Sequence, residues 1–465
     1  MDENLSSYKN NYITTLRDDI VSIISEKLTP AAEKYGYSDS PLEENVKWKP
    51  KVLLLGNYSS GKSTLVNDFL GGNIQRTGQA PTDDTFTVIA YKEAEDQSDE
   101  IRVIEEREGR SVLNDPEYPF VGLKKHGDRF LAHFRLKFVN SPFLKQLVII
   151  DTPGMLDSVT ETDRGYNYQD VIGELAQNSD LVLLLFDPHK TATGNEAHTS
   201  IRETLPKKCF EDRILFVLNR VDECTSLEDF LQVYGTLCWN LSQMTGRKDI
   251  PQIYFTYSPH VANHDANSAD SEKFFIQKIE NQRELLKAAV LKAPHYQLDH
   301  LADFLDTHCE RLHHLLEVFI QYKKKMNGNR NRFIFFMTAF SILLGLAAGG
   351  AGFMNGLGDL IFTLTISAGV AVGTIFIGML IVFPYFRNRF HEELLGNLDT
   401  LTKKKHQNRI DSWNAVKQSV VEYLTESRQN LSLRKLRKEF SMLQEVMEIE
   451  MPEVREGLQQ LNRIE

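Results

Sequence analysis

The chain is 465 residues long, with 42% hydrophobic and 25% charged residues, the balance of a folded protein with room for two or more domains. Lys and Arg number 53 against 64 Asp and Glu, a net charge of −11, which excludes the basic footprint of a nucleic-acid binder. Cys209, Cys224, Cys238 and Cys309 show neither paired metal spacing nor a disulfide framework, as suits a reducing cytosol, and the acidic start Met1-Asp2-Glu3-Asn4 does not read as a secretory leader.

Residues 1–50 read as helices that join a stalk, because Ile13, Leu16, Ile20, Ile23 and Ile24 keep helical spacing. Pro30 ends or restarts that element, and Leu28 to Leu42 reads as a short irregular arm leading to Trp48. Residues 51–283 read as one domain. Apolar runs alternate there with helical patterns, the signature of an α/β fold with a mostly parallel sheet. The expected strands are Val52–Leu55, Thr87–Tyr91, Glu100–Glu105, Leu136–Phe138, Leu147–Ile150, Leu181–Phe186, Ile214–Leu218 and Gln252–Tyr257.

The first strand feeds Gly56-Asn57-Tyr58-Ser59-Ser60-Gly61-Lys62-Ser63-Thr64, which opens a helix over Leu65 to Leu70. Strand, glycine-bounded loop and helix are the context of a phosphate-binding loop. Gly56 and Gly61 let backbone N–H groups turn toward phosphate oxygens, and the helix N-terminus adds partial positive charge. Lys62 is placed for the β- and γ-phosphates, and Ser63 for Mg²⁺. Pro81-Thr82-Asp83-Asp84-Thr85 follows, where a threonine would close over Mg²⁺ and the γ-phosphate, although Thr and Asp are equally at home in caps and turns. Asp151-Thr152-Pro153-Gly154 directly follows a buried strand. Asp151 would hold Mg²⁺ through water, and the Gly154 amide would sense the γ-phosphate. Asn219-Arg220-Val221-Asp222 supplies an Asn and an Asp three apart, able to fix the loop and accept guanine-edge N–H groups, with Arg220 covering the base.

Residues 284–332 read as a helical stalk: Leu298, Leu301, Leu305, Leu312, Leu315 and Phe319 recur at three or four, ahead of Lys323-Lys324-Lys325, Arg330 and Arg332. His308, His313 and His314 in this stretch read as surface or packing residues. From Phe333 to Phe386 only Asp359 is acidic or basic, and Asn355–Asp359 divides the span into Phe333–Met354 and Leu360–Phe383. Each piece reaches the ~20 residues that cross a bilayer core, so 333–386 reads as a two-helix transmembrane hairpin rich in small packing residues. Beyond Arg387 and Arg389, residues 387–465 return as helical stalk, with a Lys403-Lys404-Lys405 run. Basic residues on both flanks place both soluble portions, and both termini, on the cytosolic side and would attract anionic lipid.

These stretches resemble the dynamin superfamily, and within it the EH-domain-containing (EHD) ATPases and sarcalumenin. The resemblance runs over roughly residues 13–326: Lys27-Leu28-Thr29-Pro30, Lys51–Leu70, Asp151–Leu156 with Arg164-Gly165-Tyr166, Ser179–Lys190, Val233–Trp239 and Tyr322–Met326. It implies a dynamin-type G domain on a helical stalk, a Mg²⁺-dependent GTPase or ATPase, and self-association with Trp239 at the dimer interface. It also implies membrane remodelling at an endosomal, endoplasmic-reticulum or other endomembrane. Adenine is the base the EHD resemblance suggests, against guanine from the Asn219 and Asp222 geometry. Two departures stand out. A hairpin occupies the position of the family's peripheral membrane tip, as in mitofusin- or bacterial-type dynamins, and the helical residues after it carry no Ca²⁺-loop pattern, so EH-type peptide binding is not expected. The family's second threonine is Asp83 here, which implies either slower hydrolysis or a substitute threonine, Thr82 or Thr85, with Thr82 the choice for Mg²⁺ and catalysis.

Overall fold

In the computed structural model the apolar runs assemble into one eight-stranded sheet of order β3-β4-β2-β5-β1-β6-β7-β8. The strands are β1 Lys51–Gly56, β2 Phe86–Tyr91, β3 Val103–Glu108, β4 Phe134–Val139, β5 Val148–Asp151, β6 Leu181–Phe186, β7 Ile214–Asn219 and β8 Ile253–Thr256. The structure describes residues 2–38, 41–76, 85–95, 100–115, 117–155, 165–189, 204–205, 213–245, 250–258, 280–354, 360–402, 407–426 and 431–464. β1 lies between β5 and β6 and is parallel to both, and β6, β7 and β8 continue in parallel. The other end departs from an all-parallel pattern: β2 runs antiparallel to β5 and β3 antiparallel to β4, while β2 and β4 are parallel.

Burial explains why β1 and β6 are unbroken Val, Leu and Phe runs. Leu53, Leu55, Val182, Leu184 and Phe186 face one core layer, whereas Val52, Leu54, Leu181, Leu183 and Leu185 face the other. Successive side chains of a strand point to opposite faces, so covering both faces leaves no polar position. Each fully buried leucine or valine contributes about 2 kcal/mol. The outer strand β3 is exposed or half-buried along most of its length and reads VIEERE accordingly.

Chain contacts divide the molecule into two units, one of Met1–Val21, Glu43–Asp303 and Gly457–Glu465, the other of Ser22–Leu42 and Phe304–Glu456. The first holds the sheet. The flanking helices that matter for the site are α3 Lys62–Leu70, α6 Tyr168–Gln177 and α7 Leu227–Thr245, after α1 Asp2–Ile23 and α2 Thr29–Lys34, with the short α4 Gly109–Asn114 and α5 Asp128–Ala132 between. α8 Arg283–Val290 leads into α9 Ala293–Met354, 62 residues long.

The second unit is helical. In the segment 28–42, expected as an irregular arm, residues Thr29–Lys34 form the helix α2. Ile24–Leu28 form a wider π-type turn directly before it, and Pro30, which lacks an N–H, sits in the first turn after that irregularity. Leu312, Leu315, Phe319, Trp413, Val416, Val420, Leu436 and Leu443 are buried. Tyr35, Phe319 and Tyr423 form an aromatic triangle with centroids 5.1 to 5.8 Å apart. His308 meets the Tyr37 hydroxyl at 2.8 Å, His313 lies 4.3 Å from the Phe440 ring, and His314 accepts from Arg409 at 2.8 Å and donates to Ser412 at 3.1 Å. These histidines are packing residues.

The long helix α9 and α10 Leu360–Ile377 carry the apolar span. A Cβ on Gly345 would meet Ser367 O at 2.6 Å, and one on Gly378 would strike the Met337 side chain. Residues 345 with 367 and 337 with 378 run in opposite senses, so the two segments pack as an antiparallel pair. Their outer faces are bare: Phe336 is 68% exposed, Leu343 70% and Ile361 75%. Both helices are long and apolar enough to cross a membrane, by length and composition.

Candidate nucleotide site

The phosphate loop, Asp151 and Asn219–Asp222 gather at the carboxyl ends of inner strands of the sheet. Gly56, Asp151 and Asn219 are the last residues of β1, β5 and β7, and Asp187 follows β6 directly. In open α/β sheets the crevice beyond the carboxyl ends of the parallel strands is where ligands bind.

The loop from Gly56 to Gly61 is tightly constrained. A Cβ on Gly56 would lie 2.6 Å from Leu185 O, and Gly61 takes φ +83° at the start of α3 beside the Asn219 amide. Ser59 adopts φ 63°, an uncommon conformation for a residue with a side chain. Lys62 is buried and its Nζ donates to Gly56 O at 2.9 Å and Asn57 O at 3.2 Å, curling its ammonium over the loop. Ser60 is fully buried. Tyr58 donates its N–H to Met155 O at 3.2 Å, Met155 donates to Gly56 O at 3.1 Å, and Asn57 and Met155 form a parallel bridge. The segment Asp151–Met155 is thus stitched to the loop. Gly154 has no room for a side chain, since a Cβ would lie 2.7 Å from Tyr58 Cα. Thr64 is placed in the first turn of α3.

Ser63 Oγ donates to Asp151 Oδ2 at 3.1 Å, bringing a hydroxyl and a carboxylate together next to the lysine. Hard oxygen donors in a buried polar corner fit Mg²⁺, which takes few protein ligands and completes its shell with water and phosphate. Thr82, with Pro81, Asp83 and Asp84, lies outside the described residues. So do Leu156, Arg164, Lys190, Cys209, Asn355–Asp359 and Lys403–Lys405.

The loop after β7 is fastened to the phosphate loop. Asn219 Nδ2 donates to Ser60 O at 2.9 Å, and Thr256 donates to Asn219 Oδ1 at 2.9 Å, so both ends of the Asn219 amide are engaged inside the protein. Arg220, at φ 61°, donates to Ser59 O at 2.8 Å and to Asp187 at 3.1 Å, and also pairs with Glu223. Two residues in the left-handed region therefore hold each other. Asp187, His189 and Glu223 lie close enough to share a cation, but the Arg220 guanidinium already pairs with both carboxylates. Asp222 falls in the short turn Val221–Glu223 beside them. Cys224, next in the chain, is buried, which pushes its thiol up to about 11 and leaves it inert.

Sequence reasoning passed over Gln75 and Lys137, which join this site from the loop after α3 and from β4. Gln75 Nε2 donates to Asp151 Oδ2 at 2.9 Å, and Lys137 Nζ donates to Gln75 Oε1 at 2.8 Å. A lone glutamine in a polar loop carries no periodicity or motif that would mark it.

Fold and site together define an α/β domain of the phosphate-loop nucleotide-binding class. Residues 52–221 match the family model described as the dynamin family. EH domain-containing protein 1 of Arabidopsis thaliana is 31% identical over 271 residues, covering 57% of this chain and 47% of that protein. EH domain-containing protein 1 of Homo sapiens is 32% identical over 250 residues, covering 52% of this chain and 44% of that protein. The chain thus spans about half the length of the curated relatives it matches. A solved chain from an oligomerised bacterial dynamin pair is 14% identical and covers 99% of this chain and 75% of that one, at a TM-score of 0.37 too low to weigh in the assignment. Residues 52–221 thus carry a dynamin-family nucleotide domain, and over the matched half the chain is similar to the EH domain-containing proteins.

Proposed function

We propose that the protein is a membrane-anchored dynamin-like nucleoside triphosphatase that couples nucleotide binding, hydrolysis and self-association to membrane remodelling. The observation that carries this is the presence, in one chain, of a built phosphate corner at Lys62, Ser63 and Asp151 and a long apolar helix pair with bare outer faces. In this reading residues 51–283 are the nucleotide domain, 1–50, 284–332 and 387–465 the stalk, and 333–386 the transmembrane hairpin. Two crossings return the chain to the side it left, so both soluble portions share the cytosolic side. Anionic lipid meets the flanking Lys323–Lys325, Arg330, Arg332, Arg387 and Arg389.

The substrate is GTP or ATP. Lys62 swings from the Gly56 and Asn57 carbonyls to the β- and γ-phosphates, and the loop amides from Asn57 to Thr64 cradle the rest. Ser63 and, through water, Asp151 would hold Mg²⁺, which would neutralise phosphate charge. Asn219, Arg220 and Asp222 line the base, and Arg220 ties their loop to Ser59 O. Gly154 contacts the γ-phosphate, and Thr82 closes over it. Hydrolysis rests on positioning and charge stabilisation, as is general for phosphoryl transfer. Self-association uses α7, on which Leu227 is 48% exposed, Leu231 55% and Trp239 67%.

Phosphate release from GTP and from ATP, with and without liposomes, tests the reading. Liposome-stimulated release from one of them is expected. Intact triphosphate binding with no stimulated release favours a second reading, a nucleotide-switched membrane scaffold, for which Asp83 in place of the family's threonine speaks. Aggregation on mixing two labelled vesicle populations that carry the protein favours a tethering or fusion role.

A further inference from the structure

We propose, resting on the nucleotide-site reading above, that Gln75 is a positioning residue that sets the Asp151 carboxylate for Mg²⁺. Gln75 is buried at 7% exposure, and its side chain has one arrangement that satisfies both neighbours. Asp151 Oδ2 accepts, so the amide nitrogen must face it at 2.9 Å; the Lys137 ammonium donates, so the amide oxygen must face that at 2.8 Å. A carboxylate offers only acceptors and an ammonium only donors, so a flipped amide would set like against like on both sides. Lys137 sits in β4, and its Nζ also lies 3.5 Å from Ile74 O, so the cation that orients the amide is anchored in the sheet.

The backbone of Gln75 is fixed as firmly as its side chain. Asn67, buried in α3 one turn beyond Ser63, accepts the N–H of Ile74 at 3.0 Å and of Gln75 at 2.7 Å, and donates to Gln75 O at 2.8 Å. The helix that begins with Lys62 and Ser63 therefore holds the residue that orients Asp151. Asp151 Oδ2 receives two donors, Ser63 Oγ at 3.1 Å and Gln75 Nε2 at 2.9 Å. The Ser63 hydroxyl also has to present its oxygen to the metal. The Gln75 amide has no such second duty, and it keeps the carboxylate in one orientation throughout. Partners of this kind, one shell out from a metal ligand, set the affinity of the metal they never touch.

The test uses the full chain in detergent and a methylanthraniloyl-labelled GTP or ATP, whichever the wild type binds. Two quantities are read: the Mg²⁺ concentration for half-maximal binding, and nucleotide affinity in excess EDTA. Gln75→Met keeps the bulk and loses both hydrogen bonds, and it should need about tenfold more Mg²⁺ with little change in EDTA affinity. Gln75→Asn keeps an amide one methylene short and should shift the Mg²⁺ requirement in the same direction, which decides the matter if the methionine variant does not fold. An unchanged Mg²⁺ requirement overturns the proposal, and so does an equal loss of affinity in EDTA, which marks plain structural damage. A wild type that binds neither nucleotide overturns the underlying reading instead.

Discussion

Glycine 154 shows how little freedom the phosphate corner has. Its Cα hydrogen faces the Tyr58 backbone, and any Cβ would lie 2.7 Å from Tyr58 Cα and 2.9 Å from its nitrogen. Gly154→Ala must therefore push the Asp151–Met155 segment off the loop. Triphosphate affinity should fall about tenfold or more, while diphosphate affinity, which needs no γ-phosphate contact, changes little; titration of both nucleotides checks this. A variant that lost both equally would mean the loop itself had collapsed. Arg220 and Ser59 make the complementary point. Each sits in the left-handed region at a cost of about 1–2 kcal/mol, and the hydrogen bond between them ties one unfavourable conformation to the other. The loop after β7 and the loop from Gly56 to Gly61 are thereby coupled.

Among the elements, the histidines of α9 give the helical unit a pH dependence of definite sign. Burial lowers His308, His313 and His314 to about 4, with Arg311 beside the first and Arg409 beside the other two adding to the effect. The unfolded chain, with ordinary histidines near 6.5, then binds more protons than the folded one between those values. Stability is full above pH 6.5 and is lost as pH falls toward 4. Thermal unfolding at pH 7.5 and pH 5 should show the drop, and His314→Asn should reduce it. In the hairpin, Gly345→Leu forces a side chain into Ser367 O and Ala371 and should cost about 1–3 kcal/mol by overpacking, read as a lower unfolding midpoint in detergent. Strands β1, β5 and β6 were legible because double burial writes itself as unbroken apolar runs, whereas the exposed β3 carries no such run and lies at Val103–Glu108, three residues beyond the expected Glu100–Glu105. Strand directions were not legible: nothing in Thr87–Tyr91 or Leu147–Ile150 says whether the two run together or opposed. The same limit applies to the site. Gly56–Ser63, Asp151 and Asn219 announce themselves through spacing and position after a strand, whereas Gln75 and Lys137 matter only through a fold that brings residues 62 positions apart to 2.8 Å.

For the whole molecule, self-association should depend on α7. Trp239→Ala removes the largest of its solvent-open apolar side chains and should weaken nucleotide-dependent dimerisation, measured by sedimentation in detergent, with monomer nucleotide affinity unchanged. An unaltered dimer would place the interface elsewhere. The hairpin sets the conditions under which such contacts form. Helices whose flanks leave Phe336, Leu343 and Ile361 open suit lipid better than water, and on the proposed reading a chain held by them would have no soluble pool to exchange with. Its copies would then meet by sliding in a plane, already sharing an up-direction, and the search for a partner would lose a dimension. The relevant variable becomes molecules per unit area rather than molar concentration. On that reading, crowding copies into a small patch of bilayer would by itself favour their pairing, even with the nucleotide supply held constant.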